Sequence, residues 1–213
     1  MIKDIDTTDK PIRLAILISG NGSNMQAIIE HCQKRKQDDA SFRIEPIAVI
    51  SDQEEAAGLT KAKKLNVQTF YIDGGSYKTK LEGQAESNYI DCLKKLKIDL
   101  IILAGFMRVL KSQFLQAFSG KIINIHPSLL PFFQGLNTHQ RAVESGTNHI
   151  GASLHWVNEV VDGGMIVMQE SMAINDQNAA TLKEKIHTIE HQLFRQWLDL
   201  LNRNFFSIPF KRF

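Results

Sequence analysis

Residues 12–24 read Ile-Arg-Leu-Ala-Ile-Leu-Ile-Ser-Gly-Asn-Gly-Ser-Asn, an almost unbroken apolar run that gives way to a glycine-rich turn. Such a run predicts a central strand over Ile12 to Ser19, covered on both faces. The turn Gly20-Asn21-Gly22-Ser23-Asn24 passes straight into Met25-Gln26-Ala27-Ile28-Ile29, the opening of a helix reaching about Lys36. Outward from there, apolar segments predict further strands at Ile44 to Ile50, Val67 to Ile72, Leu100 to Ala104 and Ile122 to His126. Helical patterns separate them at Glu54 to Leu65, Leu81 to Leu96 and Ser112 to Phe118.

Strands and helices alternating at this pace imply βαβ units with right-handed crossovers. The predicted fold class is α/β: a Rossmann-like, mostly parallel sheet flanked by helices. In such sheets ligands bind outside the carboxyl ends of the strands. Three of those ends carry conspicuous residues: Ser19-Gly20-Asn21, Ala104-Gly105-Phe106 and Asn124-Ile125-His126. Beyond them, Ser128 to Thr138 reads as a surface loop beside the site, with a brief helix at Gln140 to Glu144. Ala152 to Val157 and Met165 to Met172 read as two more strands joined by Asp162-Gly163-Gly164. Thr181 to Leu201 is a helix with Leu182, Ile186, Ile189, Leu193, Trp197 and Leu200 on one stripe. The tail from Asn204 to Phe213 reads as a strand or an ordered extension.

Asn124 and His126 are two apart, so on a strand their side chains leave the same face. An amide donor beside an imidazole suits an oxygen that gains negative charge during reaction. Asp162, on a sharp turn, can reach the same place, which makes Asn124, His126 and Asp162 one predicted catalytic cluster. The plainer alternative is a hydrogen-bonded strand-end histidine and an unrelated turn carboxylate. In the turn after the first strand, glycines allow close approach of an anion, and helix N–H groups with Ser23 and Asn24 supply donors. The dinucleotide fingerprint requires glycine where this chain has Met25, and the P-loop lysine is absent, so a single phosphate fits better than a pyrophosphate. The same residues also serve as an ordinary helix cap.

Composition narrows the function classes. The chain has 213 residues, 43% hydrophobic and 23% charged, with a formal charge of +2. Those values fit a soluble globular protein and give no basic surface for nucleic acid. Cys32 and Cys92 have no metal-ligand spacing, which fits a reducing, cytoplasmic setting. The polar leader, residues 1–11, is neither a secretory signal nor a membrane span. His187 and His191 stand four apart on a helix, but the residues between them do not form a zinc motif. One domain over residues 1–213 is expected, with a nucleotide-binding half at 12–126 and catalytic loops plus the last helix at 127–213.

Four motifs in order resemble the folate-dependent glycinamide ribonucleotide formyltransferases. They are Leu17-Ile18-Ser19-Gly20-Asn21-Gly22-Ser23-Asn24, Leu103-Ala104-Gly105-Phe106-Met107-Arg108, Asn124-Ile125-His126-Pro127-Ser128-Leu129-Leu130-Pro131 and Val161-Asp162-Gly163-Gly164. The resemblance runs from about Ile12 to Trp197. The second and third motifs recur across the wider formyltransferase superfamily, and the first points to the glycinamide ribonucleotide branch. It implies the formyltransferase fold and transfer of a formyl group from 10-formyltetrahydrofolate, as co-substrate, to the amine of glycinamide ribonucleotide in purine synthesis, without a metal. By the same matching, Asn124 and His126 bind the formyl oxygen, and Asp162 orients the imidazole and relays the proton. Gly20, Asn21, Gly22, Ser23 and Asn24 would surround the substrate phosphate, and Glu190 would meet the ribose hydroxyls. Met107, Arg108, Val109 and Leu110 would line the folate pocket, with backbone groups reading the pterin. Such a protein is a monomer or homodimer with no membrane or nucleic-acid partner.

Some positions depart from the family pattern. Trp156 stands where phenylalanine is usual, a change in bulk expected beside the folate loop. Residues 76–86 align poorly, and Lys78 or Lys80 is a candidate substitute for a family arginine near the substrate. The close alternatives are formyltetrahydrofolate hydrolase, which uses water as acceptor, and another folate-dependent formyltransferase such as the methionyl-tRNA enzyme. The first usually carries an N-terminal regulatory domain, and the second an RNA-binding domain with a more basic chain. A nucleotide-sensing module on the same sheet would have no need of Asn124, His126 and Asp162 together.

Overall fold

The computed structural model describes residues 10–173 and 179–203, and the predicted tail strand at 204–213 lies outside them. In chain order the elements are β1 (Ile12–Ile18), α1 (Ser23–Asp38), β2 (Ile44–Ser51), α2 (Ala57–Lys64) and β3 (Gln68–Tyr71). Next come β4 (Lys80–Leu81), α3 (Gln84–Lys95), β5 (Leu100–Leu103), β6 (Val109–Leu110), α4 (Ser112–Ala117) and β7 (Ile122–His126). The last are α5 (Thr138–Glu144), β8 (His149–Trp156), β9 (Ile166–Ala173) and α6 (Ala179–Asn202). Among the described residues seven strands form one sheet in the order β3-β2-β1-β5-β7-β8-β9. The first five run parallel, while β8 pairs antiparallel with both β7 and β9.

The burial of β1 explains its composition. Leu14, Ile16 and Ile18 join the core beneath α1, α2 and α6, while Ala15 and Leu17 join the core beneath α3 and α4. β5 divides the same way, Leu100 and Ile102 against Ile101 and Leu103. A strand that buries both faces has no side on which a polar residue is tolerated, hence the unbroken apolar run. On α6 the buried stripe includes Leu182, Ile186, Ile189, Leu193 and Trp197, as the spacing predicts. Leu200 is only half-buried, and Phe194, Leu198 and Leu201 complete the face instead. Trp156 packs edge-on against Trp197, with ring centroids 6.4 Å apart, so its extra bulk serves the core rather than the folate loop.

Two predicted helices are shorter at their starts. Residues 53–55 form a turn, and α2 begins only at Ala57. Lys80 and Leu81 pair with Val109 and Leu110 as a second, two-stranded sheet, so α3 begins after them. Leu81 is thus buried through strand pairing and not through a helix face. Among the described residues no helix is long and apolar enough to cross a membrane.

Candidate active site

The site is assembled at the carboxyl ends of β1, β5 and β7. Asn124 and His126 leave the same face of β7, and β8 pairs alongside with His155 opposite Asn124 and Ser153 opposite His126. The chain then reverses through the turn that carries Asp162, closed by the Gly163 N–H to the Val160 carbonyl at 3.0 Å. Asp162 itself adopts a left-handed conformation with φ of 52°. Only glycine fits at 164, because a Cβ there would lie 1.6 Å from the Trp156 carbonyl oxygen. That close approach brings the Asp162 carboxylate back over β7.

The structure therefore brings together the three residues expected to be catalytic. His126 Nδ1 lies 3.4 Å from Asp162 Oδ2, and both side chains are about nine-tenths buried. Asp162 Oδ2 also accepts the Gly135 N–H at 2.9 Å, which ties the loop after His126 to the carboxylate. His126 Nε2 lies 3.0 Å from the Phe133 carbonyl. A carbonyl only accepts, so Nε2 carries the proton. Ser153 supports this loop from below, donating to the Ser128 carbonyl at 2.6 Å and accepting from the Leu130 N–H at 3.0 Å. An apolar cavity of about 240 Å³ lies behind the loop, lined in part by Leu129, Phe132 and Phe133.

His155 belongs to this cluster. Its Nδ1 donates to the Trp156 carbonyl at 3.1 Å, which leaves Nε2 to accept from Asn124 Nδ2, also at 3.1 Å. Burial pushes its pKa down, so the ring is held in the neutral form that this acceptor role demands. His155 thereby fixes which way the Asn124 amide points and leaves its second N–H available. Asp162 Oδ1 is 3.7 Å from the same Nε2. No local signal marks His155, because its partner comes from the antiparallel register with β7.

The predicted phosphate loop follows β1, with β5 between it and β7. Gly22 has φ of +69° and precedes α1, which has no capping side chain and no acidic residue in its first turn. The opening N–H groups of that helix are arranged as an anion site needs. Gly58 of α2 packs directly on this turn, its N–H donating to the Gly20 carbonyl at 3.0 Å. Lys61 Nζ reaches Asn21 Oδ1 at 2.8 Å, which adds a cation nearby. Asn24 turns inward and donates to Glu190 Oε2 at 3.0 Å, so the acid on α6 faces the loop and not solvent.

Burial pushes the Glu190 pKa from 4.5 up to about 7, with the Asn24 hydrogen bond opposing the shift. A folded-state pKa above the unfolded one means that the folded protein holds the extra proton between those values. The resulting stability is fully present below about 4.5 and is lost as pH rises through about 7. Glu190→Gln is therefore expected to melt higher than the parent at pH 8 and close to it at pH 5. His187 Nε2, 4.0 Å away, gives little relief, because burial and Lys183 push its own pKa down. Thermal melts at both pH values check this, and a lower melting temperature for the variant at pH 8 contradicts it.

The segment expected to line the folate pocket divides by residue. Met107 is 60% exposed and Val109 38%, while Leu110 is buried in the α3–α4 core. Arg108 is neither a surface cation nor directed into the pocket. Its Nε lies 2.6 Å from Asp52 Oδ2, and its Nη1 donates to the carbonyls of Gly74, at 3.0 Å, and Tyr77. Lys80 is engaged by Glu82 at 2.8 Å and stacks on Tyr77, so of the two predicted lysines Lys78 is the exposed one. Among the described residues no group of three or more His, Cys, Asp or Glu is placed to hold a metal ion.

A mostly parallel sheet carries a helix-start turn and an Asn–His–Asp cluster at its strand ends, and the chain belongs to the formyl transferase family, which matches residues 12–198. Within that family it stands with the phosphoribosylglycinamide formyltransferases. It is 40% identical over 183 residues to the phosphoribosylglycinamide formyltransferase of Haemophilus influenzae, covering 85% of this chain and 83% of that protein. It is 39% identical over 193 residues to the human trifunctional purine biosynthetic protein adenosine-3, covering 90% of this chain but only 18% of that longer protein. The crystal structure of glycinamide ribonucleotide transformylase 1 from Symbiobacterium toebii superposes with a TM-score of 0.83 at 30% identity, over 95% of this chain and 92% of that one.

Proposed function

We propose that this protein transfers the formyl group of 10-formyltetrahydrofolate to the amine of glycinamide ribonucleotide, in de novo purine biosynthesis. The observation that carries this reading is the meeting of Asn124, His126 and Asp162 in one cluster, 3.4 Å between imidazole and carboxylate. In this route the substrate amine attacks the formyl carbon and the carbonyl electrons move onto oxygen. The spare Asn124 N–H and the His126 ring donate to that oxyanion, each such donor being worth about 10²–10³ in rate. Asp162 accepts the proton shed by the amine, and a proton returns to the folate nitrogen as it leaves. Formylated ribonucleotide and tetrahydrofolate are the products, and no step calls on a metal ion.

The remaining residues position the two reactants. The α1 turn at Gly20 to Asn24 holds the phosphate, and Glu190 takes the ribose hydroxyls beside it. Main-chain groups of residues 107–110 read the pterin ring, an assignment that the inward course of the Arg108 side chain leaves open to the backbone. Incubating the protein with 10-formyltetrahydrofolate, with and without glycinamide ribonucleotide, tests the function. Tetrahydrofolate release that depends on the ribonucleotide supports transfer. Release without it would make the protein a hydrolase and overturn the proposal.

A further inference from the structure

Ser19 joins the two halves of the site. As the last residue before the phosphate loop, it donates its N–H to the Gly105 carbonyl at 3.0 Å. Its Oγ in turn accepts the Met107 N–H at 2.9 Å. The chain turns sharply between those two contacts, with Gly105 at φ of +78°. One residue further on, the Arg108 guanidinium is tied to Asp52 at the end of β2 and to two carbonyls of the 73–77 turn. Val109 then pairs with Lys80 across the small sheet. The exposed face of Met107 to Val109 is thus held from β1 on one side and from β2 on the other.

We propose that Ser19 is a positioning residue whose hydroxyl, backed by the Arg108–Asp52 pair, sets the folate-lining segment in register with the phosphate loop. The proposal rests on the function given above. Main-chain groups can discriminate a heteroaromatic ring only where their direction is fixed, and a free segment of this kind would lose that direction to backbone entropy. Among the described residues the hydroxyl is the one side-chain group holding the Met107 N–H. The phosphate loop has its own main-chain supports, the Gly58 N–H to Gly20 and the Gln26 N–H to Gly22 at 2.9 Å. Losing the Ser19 hydroxyl therefore loosens the folate side and leaves the ribonucleotide side in place.

Steady-state kinetics with both substrates varied test this. Ser19→Ala is expected to raise the KM for 10-formyltetrahydrofolate about tenfold, the scale of one lost hydrogen bond, with the KM for glycinamide ribonucleotide within about twofold of the parent. Ser19→Thr, which keeps the hydroxyl, is expected to restore the folate KM to within about twofold. Arg108→Lys keeps the charge opposite Asp52 but loses the planar fork, and it is expected to show the same folate-selective rise even if Ser19→Ala fails to fold. Equal changes in both KM values, or a folate KM unmoved in the variants that fold, would overturn the role of Ser19. A parent protein that turns over neither substrate would instead overturn the proposed function, so the two failures are separable.

Discussion

His126→Ala is expected to lower kcat by about 10³-fold, because it removes a proton donor aimed at charge that exists only in the transition state. The effect should fall on kcat and hardly on the KM for glycinamide ribonucleotide, whose phosphate and ribose are assigned to α1 and α6. Stability should change little by comparison. The lost ring leaves the Phe133 carbonyl without its donor, a cost of about 1–3 kcal/mol, while the Asp162 carboxylate keeps the Gly135 N–H. Stopped-flow or steady-state assays alongside a thermal melt separate the two quantities. Turnover within about tenfold of the parent would remove His126 from the chemistry.

Asp162→Asn probes the other half of the cluster with almost no change of shape. The amide oxygen can still accept the Gly135 N–H, so the turn after β8 and the loop after β7 should stay joined. What disappears is the base for the amine proton and the carboxylate that orients the His126 ring. General acid–base groups contribute about 10²–10⁴-fold, and we expect a kcat loss of about 10³-fold with substrate affinities near those of the parent. The double variant with His126→Ala should be far less than multiplicatively worse, since the two residues act as one unit. Fully multiplicative losses would show that Asp162 acts independently of the imidazole.

How much of this site could be read from residues alone depended on the range of the interactions involved. β1 was legible because burial on both faces leaves a continuous apolar signature. Asn124 and His126 were legible as a pair because strand geometry puts i and i+2 on one side. The Asp162 turn was marked by its glycines, although its meeting with His126 required the sheet to form. Three features left no local trace. His155 gained its part from the residue opposite it across an antiparallel pair. Arg108 was buried by acceptors from the distant positions 52, 74 and 77. The ladder between β4 and β6 spans two residues on each side, too few to print a periodicity.

The contact between the His126 ring and the Phe133 carbonyl bears on how the reaction gains its selectivity for the activated species. In the free protein the proposed donor, the His126 Nε2–H, is already engaged by a neutral amide oxygen of its own chain. A formyl oxygen that arrives there swaps one weak acceptor for another of nearly equal strength, so docking gains almost nothing at this point. Only when that oxygen turns anionic does the exchange become favourable, because charge-assisted bonds are about twice as strong as neutral ones. On the proposed route the loop peptide would act as a built-in reference competitor: it would cancel attraction for the resting donor and leave the full difference to the tetrahedral species.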